Sequence, residues 1–484
     1  MSNGKNIAIL ASCLHTGGAE RVAGLLSKQL SKLYNVYLFL GDAQTIVYDY
    51  GGTIIDLGDL EPLSASAILR NKKKLQIDVS ISFVHYLNFL NIRTKQDERV
   101  VVSERSSVSP MPFSDKLQIA RYYPYADAIV ACSYGVREDL VAHGVKGDME
   151  VIYNFIEKQA IKQKAKQELP DEAKKFLDGD DFFVHVGRLG KEKNQKRMIT
   201  QFALFKRKSK SGRKLLILGS GGLHDELQHL ISEMDMEQCV KIVPYDKNPF
   251  RYVARSKALL LSSHYEGLPN VLLEAMTLGC PVIATDCLSG PRELLKGEKD
   301  YGKPLREIEV CNRGILVANT ETEDDGRTHA MADAMELLSG DCDLAEMIRD
   351  NELAYMERYN NDAIFQQWIE CIERAGAKKY DCIASEEEML SQAKYIIIYG
   401  AGHVGKGCFA LMKKKFHVDY FAVTYPIKEK TIFGIPVVTI DEIADLHNQA
   451  VVVVGVGAPY QGEVVDTLNR LGFSRLIFSY INPV

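Results

Sequence analysis

The chain has 484 residues, of which 46% are hydrophobic and 25% charged, and its formal net charge is −5. This length is too great for one hydrophobic core, and the slightly acidic balance gives no overall attraction to nucleic acid. Ten cysteines are scattered without a C-x-x-C pair, and no apolar run nears the roughly 18 residues of a membrane-spanning helix. The first residues lead into a strand pattern rather than a signal peptide, so we expect a cytoplasmic protein.

Residues 1–158 alternate short apolar runs with amphipathic stretches, which predicts a doubly wound parallel sheet. The predicted strands are 6–11, 36–40, 53–57, 79–83, 99–102 and 128–131, and the clearest helices are 21–32 and 137–143. Gly17 and Gly18 follow the first strand and open the first helix, where backbone amides favour an anion. His85 follows the fourth strand, and Glu104 and Arg105 follow the fifth. A packed or surface role is the alternative for His85.

Residues 159–180 are polar and rich in lysine, so we interpret them as a linker. The strand–helix alternation restarts at Asp181 and ends in helices through about residue 376. The predicted strands of this second domain are 182–186, 214–218, 240–243, 258–261 and 281–285. A second doubly wound domain over 181–376 is therefore expected.

Residues 391–484 form a third block with its own strand patterns. A predicted strand is followed by Gly400, Gly402 and Gly405 in the spacing of a dinucleotide fingerprint. The next predicted strand ends without the acidic residue that would hold an NAD ribose. We therefore expect a small Rossmann-like domain in which NAD binding is unlikely. The block resembles small Rossmann-like modules attached to polysaccharide-biosynthesis proteins, which implies nucleotide binding, acceptor docking or oligomerisation as alternative roles.

The stretch 262–294 carries the strongest functional pattern. Glu266 and Glu274 are separated by seven residues and flank a loop that leads into an apolar helix. That loop is Gly267, Leu268, Pro269 and Asn270. It follows a predicted strand of an open sheet, where helix N-termini and loop amides bind anionic ligands. Two solvated acids on an ordinary helix are the alternative interpretation.

A second pattern follows the first strand of the second domain. Gly187 and Arg188 come directly after that strand, and Lys193 lies five residues further on. Arginine offers a planar fork of donors and lysine a point charge, so the pair suits a diphosphate. A basic surface loop is the alternative. Gly219 follows the next strand, and Tyr245 follows the third.

Together these segments resemble retaining GT-B glycosyltransferases of the E-x7-E type, the glycosyl transferases group 1. The resemblance implies two Rossmann-like domains facing a cleft, with the last helix, near 361–374, crossing back to the first domain. It implies that Glu266 contacts the donor sugar and is catalytic together with Arg188 and Lys193, and that Glu274 holds the ribose. The implied donor-binding residues are Gly17, Gly18, Gly187, Arg188, Lys193, Gly219, Tyr245, Gly267, Leu268, Pro269, Asn270 and Glu274. His85, Glu104 and Arg105 are implied on the acceptor side.

The function we predict is transfer of a sugar, with retained configuration, from a nucleotide-sugar such as UDP-GlcNAc, UDP-GalNAc or a UDP-hexose. The acceptor would be a glycan, polyol-phosphate or lipid-linked molecule in surface polysaccharide biosynthesis. No metal or other cofactor is expected, because cations and helix dipoles stabilise the leaving group. Basic stretches allow peripheral contact with the plasma membrane, and a homo-oligomer is compatible. The rivals are a non-catalytic nucleotide-sugar-binding scaffold and an NAD-dependent enzyme fused to a transferase.

Overall fold

The computed structural model describes residues 4–15, 17–58, 65–209, 212–297, 299, 304–319, 329–374 and 382–478. The predicted domain bounds at 376 and 484 lie outside the described residues, as does Thr16 beside Gly17. The described residues form three open α/β sheets.

The first sheet is parallel throughout, with the strand order β3-β2-β1-β4-β5-β6-β7. Both β4 and β5 are buried along their whole length, as expected of a parallel sheet covered by helices on both faces. Its strands are β1 Asn6–Ala11, β2 Asn35–Leu40, β3 Thr53–Asp56, β4 Val79–Phe83, β5 Arg99–Glu104, β6 Ala128–Ala131 and β7 Met149–Val151. Its helices are α1 Gly18–Leu30, α2 Ala65–Lys74, α3 His85–Arg93, α4 Phe113–Tyr122 and α5 Tyr134–Ala142.

The segment interpreted as a linker is folded into two helices, α6 Lys158–Ala165 and α7 Asp171–Leu177. Ile161 and Ala165 of α6 are buried in the main core. Asn248 of the second domain donates a hydrogen bond of 2.9 Å to the carbonyl of Lys164. The lysines that suggested a solvated linker lie on the outer faces of helices, and the sparse apolar residues anchor them to the second domain.

The second sheet has the order β10-β9-β8-β11-β12-β14-β13, and only its edge strand β13 runs antiparallel, to β14. Its strands are β8 Phe182–Val186, β9 Lys214–Leu218, β10 Val240–Val243, β11 Ala258–Leu261, β12 Val282–Thr285, β13 Ile308–Cys311 and β14 Gly314–Val317. Its helices are α8 Gln195–Ser209, α9 His224–Glu233, α10 Phe250–Val253, α11 Asn270–Thr277, α12 Pro291–Leu295, α13 Ala330–Gly340, α14 Cys342–Arg358 and α15 Asn361–Glu373.

Helix α15 lies against the first sheet although it follows the second in sequence. Asn360 caps its N-terminus by accepting from the amides of Asp362 and Ala363. Trp368 is fully buried with its ring centroid 6.2 Å from that of Phe83. The apolar face of α15 therefore joins the two domains in one core cluster.

The third sheet is smaller and has the order β17-β18-β16-β15-β19-β20. Only β17 is antiparallel to its neighbour, β18. The strands are β15 Tyr395–Tyr399, β16 Tyr420–Val423, β17 Thr431–Ile432, β18 Ile435–Thr439, β19 Ala450–Val454 and β20 Leu476–Phe478, and the helices are α16 Cys382–Ser391, α17 His403–Met412 and α18 Ala458–Arg470. A Cβ at Gly405 would lie 1.8 Å from the carbonyl oxygen of Gly400, so this pair of glycines allows the turn into α17 to close tightly.

Among the described helices, none has the length and apolar content needed to cross a bilayer.

Removing the buried indole tests the role of α15. Trp368→Ala should lower the free energy of unfolding by about 3–5 kcal/mol, because it leaves a cavity between α15 and the first sheet. Trp368→Phe keeps an aromatic ring there and should cost clearly less. Urea unfolding followed by circular dichroism measures both. An alanine variant that unfolds at the wild-type urea concentration would contradict this packing role.

Candidate functional site

The site begins at the carboxyl ends of β8 and β11, which are neighbours in the second sheet. Helices cross to opposite sides of the sheet at this switch point, and a crevice for ligands opens there. Lys193 reaches the crevice from the loop after β8, and Glu266 from the loop after β11. Their side chains form an ion pair with Nζ 2.6 Å from Oε1.

Hydroxyl groups hold this ion pair in place. Ser263 donates to Oε1 of Glu266 at 2.6 Å, and Ser262 donates to the carbonyl of Lys193 at 2.7 Å. Burial alone would lower the pKa of the Lys193 ammonium, but the Glu266 carboxylate outweighs that effect and raises it. Lys193 is thus a fixed cation whose position is set by several contacts.

Arg188 stands at the mouth of the same crevice. Its side chain is 71% exposed and donates two hydrogen bonds, of 2.9 and 2.6 Å, to Glu192. The backbone beneath it is tightly packed, because a Cβ at Gly219 would lie 1.9 Å from the carbonyl oxygen of Gly187. Glycine at 219 therefore lets the loops after β8 and β9 meet, with Arg188 projecting outward from them.

Glu274 is paired with the opposite domain. It lies on α11 and is almost fully buried, and Arg21 on α1 donates a hydrogen bond to its Oε1. Burial alone would lower the pKa of the Arg21 guanidinium, but the charge of Glu274 outweighs burial and raises it. The N-termini of the two helices also meet, since a Cβ at Gly18 would lie 3.3 Å from Nδ2 of Asn270. Gly17, with φ of 93°, precedes α1.

Tyrosines line the cleft beyond this ion pair. Tyr245 follows β10 and is 57% exposed, and its backbone amide donates a hydrogen bond of 3.2 Å to Ser220 Oγ. Across the cleft lies Tyr48, whose pKa is raised to about 12 by burial and by the proximity of Tyr245. Tyr48 of the first domain and Tyr245 of the second thus lie near each other.

The predicted acceptor residues lie at the carboxyl ends of β4 and β5. Glu104 is buried and accepts from Tyr123 Oη at 2.6 Å, and burial raises the pKa of its carboxyl group. His85 opens α3, with Nε2 3.5 Å from Oδ2 of Asp115 on α4. Val84, immediately before His85, has φ of 67°, a costly conformation for a β-branched residue.

Arg105 links the first domain to the second. Its guanidinium donates to Asn154, whose Nδ2 in turn donates to the carbonyl of Leu268 at 2.9 Å and to Oδ1 of Asn270 at 2.7 Å. A Cβ at Gly267 would lie 2.0 Å from the carbonyl oxygen of Arg105. The Gly267–Asn270 loop, Pro269 included, therefore packs directly on the first domain's backbone.

Glu293 makes a further contact between the domains. Its carboxylate accepts from the backbone amides of Tyr134 and Gly135 at 3.1 and 2.8 Å, and from Tyr153 Oη at 2.9 Å. These amides belong to the N-terminus of α5, where a negative charge is favourable. Glu293 of the second domain thus caps a helix of the first domain.

No cluster of three or more histidine, cysteine, aspartate or glutamate side chains suited to a metal ion occurs within the described ranges.

Comparisons with known proteins show which family the chain belongs to. The family models "Glycosyltransferase Family 4" and "Glycosyl transferases group 1" match residues 16–159 and 166–325. An N-acetylgalactosamine-N,N'-diacetylbacillosaminyl-diphospho-undecaprenol 4-alpha-N-acetylgalactosaminyltransferase of Campylobacter jejuni is 32% identical over 371 residues, covering 72% of this chain and 98% of that protein. The chain belongs to the group 1 glycosyltransferases. Neither family model reaches the third sheet.

Other relatives of this glycosyltransferase are named for lipopolysaccharide and for amylovoran biosynthesis. A lipopolysaccharide 1,6-galactosyltransferase of Salmonella typhimurium is 34% identical over 188 residues, covering 38% of this chain and 49% of that protein. The crystal structure of Anabaena HepE with UDP and glucose superposes with a TM-score of 0.61 at 16% identity, covering 77% of this chain and 100% of that one. This last likeness shows the GT-B fold. Family membership supports an enzyme over the scaffold alternative.

Several residues of this glycosyltransferase's cleft were missed from the sequence. Arg21 could have been predicted, because it completes the Gly-Gly-Ala-Glu-Arg segment at the start of α1. Asn154 follows β7, a three-residue strand too short and polar to predict. Tyr48 lies in an irregular segment, where no periodicity points to a cleft.

A substitution at Gly267 tests whether its close approach to the Arg105 backbone matters for the site. Gly267→Ala should displace the loop between β11 and α11 and reduce both nucleotide affinity and turnover by about tenfold or more. Gly222→Ala is the matched control, because a Cβ there meets nothing within 4 Å. Titration with UDP measures the affinity of both variants, and steady-state kinetics measure their turnover. Wild-type affinity and turnover in Gly267→Ala would show that this close approach has no bearing on the site.

Proposed function

We propose that the protein transfers a sugar from a UDP-sugar, with retained anomeric configuration, to a lipid-linked or polymeric glycan acceptor of surface polysaccharide biosynthesis. The observation that carries the proposal is the Lys193–Glu266 ion pair at the carboxyl ends of β8 and β11, with the buried Glu274 on helix α11, which follows the Glu266 loop. Arg188 stands beside them with its guanidinium exposed.

The diphosphate would lie between the two domains. Lys193 and Arg188 supply two positive charges from one side, and the N-termini of α1 and α11 face the same space. These groups are in place before the reaction, so they stabilise the negative charge that develops on the departing UDP. One well-aimed donor of this kind contributes roughly 3 kcal/mol to transition-state stabilisation.

Glu274 would bind the ribose hydroxyls by exchanging its present partner. Arg21 now occupies the carboxylate of Glu274, and a guanidinium released by the ribose would turn to the donor phosphates nearby. After the exchange the Glu274 carboxylate would accept hydrogen bonds from hydroxyl groups and the Arg21 guanidinium would pair with phosphate, so neither buried charge is left without a partner. Tyr245 and its neighbouring backbone would contact the base of the nucleotide. Gly219 and Gly187 would lie beneath the nucleotide.

Glu266 would contact the donor sugar at the reacting centre. Its ion pair with Lys193 holds the side chain in place, and a carboxylate at this position suits the stabilisation of positive charge on a sugar in the transition state. No covalent intermediate is proposed. The Campylobacter jejuni relative's name specifies an alpha linkage. An alpha linkage formed from an α-configured UDP-sugar is a retained one.

The acceptor would approach along the first domain, past His85 and the buried Glu104–Arg105 segment. Among the relatives, the Campylobacter jejuni enzyme is named for a diphospho-undecaprenol acceptor, and a Staphylococcus aureus relative for poly(ribitol-phosphate). Both acceptors carry phosphate on a carrier or polymer. We assign the same class to this protein, on the cytoplasmic face of the membrane.

Substitutions of Glu274 and Glu266 should affect different quantities, the first the affinity for UDP and the second the rate of transfer. Glu274→Gln loses a charged acceptor for the ribose, worth about 1.5–3 kcal/mol, so affinity for free UDP should fall about tenfold to a hundredfold. Glu266→Gln should leave that affinity nearly intact while the rate at saturating donor collapses, because its interaction is made at the reacting centre. Calorimetry with UDP and steady-state kinetics give the two quantities.

The matched control is Glu226→Gln, which changes an exposed carboxylate of α9 in the same domain. It should leave both quantities unchanged. A normal rate in Glu266→Gln would refute its catalytic role, whatever the outcome for Glu274.

Metal dependence is a separate test. We expect UDP release in the presence of acceptor to continue in excess EDTA, because Lys193, Arg188 and the helix N-termini would supply the positive potential at the diphosphate. The test is to measure turnover in EDTA and again after addition of Mg²⁺ or Mn²⁺. Loss of activity in EDTA that a divalent ion restores would overturn the metal-free mechanism.

A further inference from the structure

The third domain docks on the acceptor side of the first domain. Glu386 on α16 and Arg93 at the end of α3 form an ion pair of 2.7 Å, and both side chains are at most 2% exposed. Tyr122, at the end of α4, donates to the same carboxylate oxygen at 2.5 Å. One buried carboxylate of the third domain therefore binds the ends of two helices of the first.

Contacts around this centre extend the docking along α4. Gln118 donates to Gln461 of α18 at 3.0 Å, and Arg121 donates to the carbonyl of Leu476 in β20. A Cβ at Gly462 would lie 3.8 Å from Ser114 Oγ, so α18 lies close to the first turn of α4. The third domain thus contacts α4 from its first turn to its last.

The same helices carry the candidate acceptor residues. His85 is the first residue of α3, and Asp115 of α4 lies 3.5 Å from it. Tyr123 follows Tyr122 directly, and its hydroxyl donates to Glu104 at 2.6 Å. Two adjacent tyrosines therefore bind two carboxylates, one in the third domain and one at the acceptor side of the cleft.

We infer that the third domain is a structural part of the acceptor site, and that Glu386 is the positioning residue that fixes α3 and α4 through Arg93 and Tyr122. The inference rests on the proposed function in assigning the acceptor to this side of the cleft. Removing the Glu386 charge leaves the Arg93 guanidinium buried without its counter-charge, which strongly disfavours the docked arrangement. The two helices, and His85 with them, would then lose their fixed position.

Glu386→Gln in the full chain tests this, with Glu388→Gln as the matched control on the exposed side of the same helix. The probes are a synthetic polyprenyl-diphosphate-linked N-acetylhexosamine as acceptor and the UDP-sugar that the wild type hydrolyses. We expect Glu386→Gln to raise the acceptor KM at least about tenfold, since small displacements of a positioned substrate cost that much. Hydrolysis of the donor without acceptor should stay within about twofold, because Lys193, Glu266 and Glu274 are untouched.

Hydrogen–deuterium exchange in the same variants gives a second readout. Exchange in residues 85–93 and 113–122 should accelerate in Glu386→Gln and not in Glu388→Gln. Gln461→Ala changes a residue at the margin of the docking surface. It should raise the acceptor KM and the exchange rates of the same segments, each by less than Glu386→Gln does. If Glu386→Gln does not fold, Gln461→Ala tests the inference in its place.

Unchanged exchange, an unchanged acceptor KM, or an equal fall in transfer and donor hydrolysis would each overturn the inference. A wild type that transfers no sugar to the probe would instead refute the proposed acceptor class. Exchange alone would then decide whether the third domain fixes these helices.

Discussion

The arrangement of the cleft depends on pairing charges at the boundary between two domains. Arg21 is partly buried and Glu274 almost fully buried, and the two pair with each other across the domain boundary. An unpaired charge at such a depth costs several kcal/mol, so separating the domains without solvent or ligand to replace the partner is unfavourable. Glu293, which caps α5 from across the boundary, follows the same rule. The residues that would hold a donor thus also hold the two domains together.

This dual use explains how binding can be coupled to domain position. A ribose that takes over Glu274 removes one contact between the domains, and a diphosphate that attracts Arg21 replaces it. Lys193 and Glu266 belong to the same domain and keep their pairing without any such exchange. One ion pair can therefore respond to the donor while the other keeps the reacting centre fixed.

Much of the fold was predictable because parallel strands buried on both faces are continuous apolar runs. The strands 6–11, 79–83, 128–131, 182–186, 214–218, 240–243 and 258–261 have the predicted bounds. The prediction missed β7, β13 and β14, which are short, and β7 and β13 carry polar residues at a sheet edge. It also interpreted α6 and α7 as a linker, because few apolar residues suffice to dock a short helix.

The candidate site was predictable where residues follow strands in sequence, as Arg188 and Glu266 do. Partners contributed by the other domain were not, because no local pattern places Asn154 beside Asn270 or Glu293 beside α5. The docking of Glu386 on Arg93 joins residues almost three hundred positions apart and is visible only in the folded chain.

The measurement that tests the central claim most directly is a crystal structure of the full chain with UDP bound. We expect the diphosphate within about 3 Å of the Lys193 and Arg188 side chains, the ribose hydroxyls on Glu274, and Arg21 released from that carboxylate. UDP bound elsewhere, for example at the Gly400–Gly405 turn of the third domain, with Arg21 and Glu274 still paired, would contradict the account.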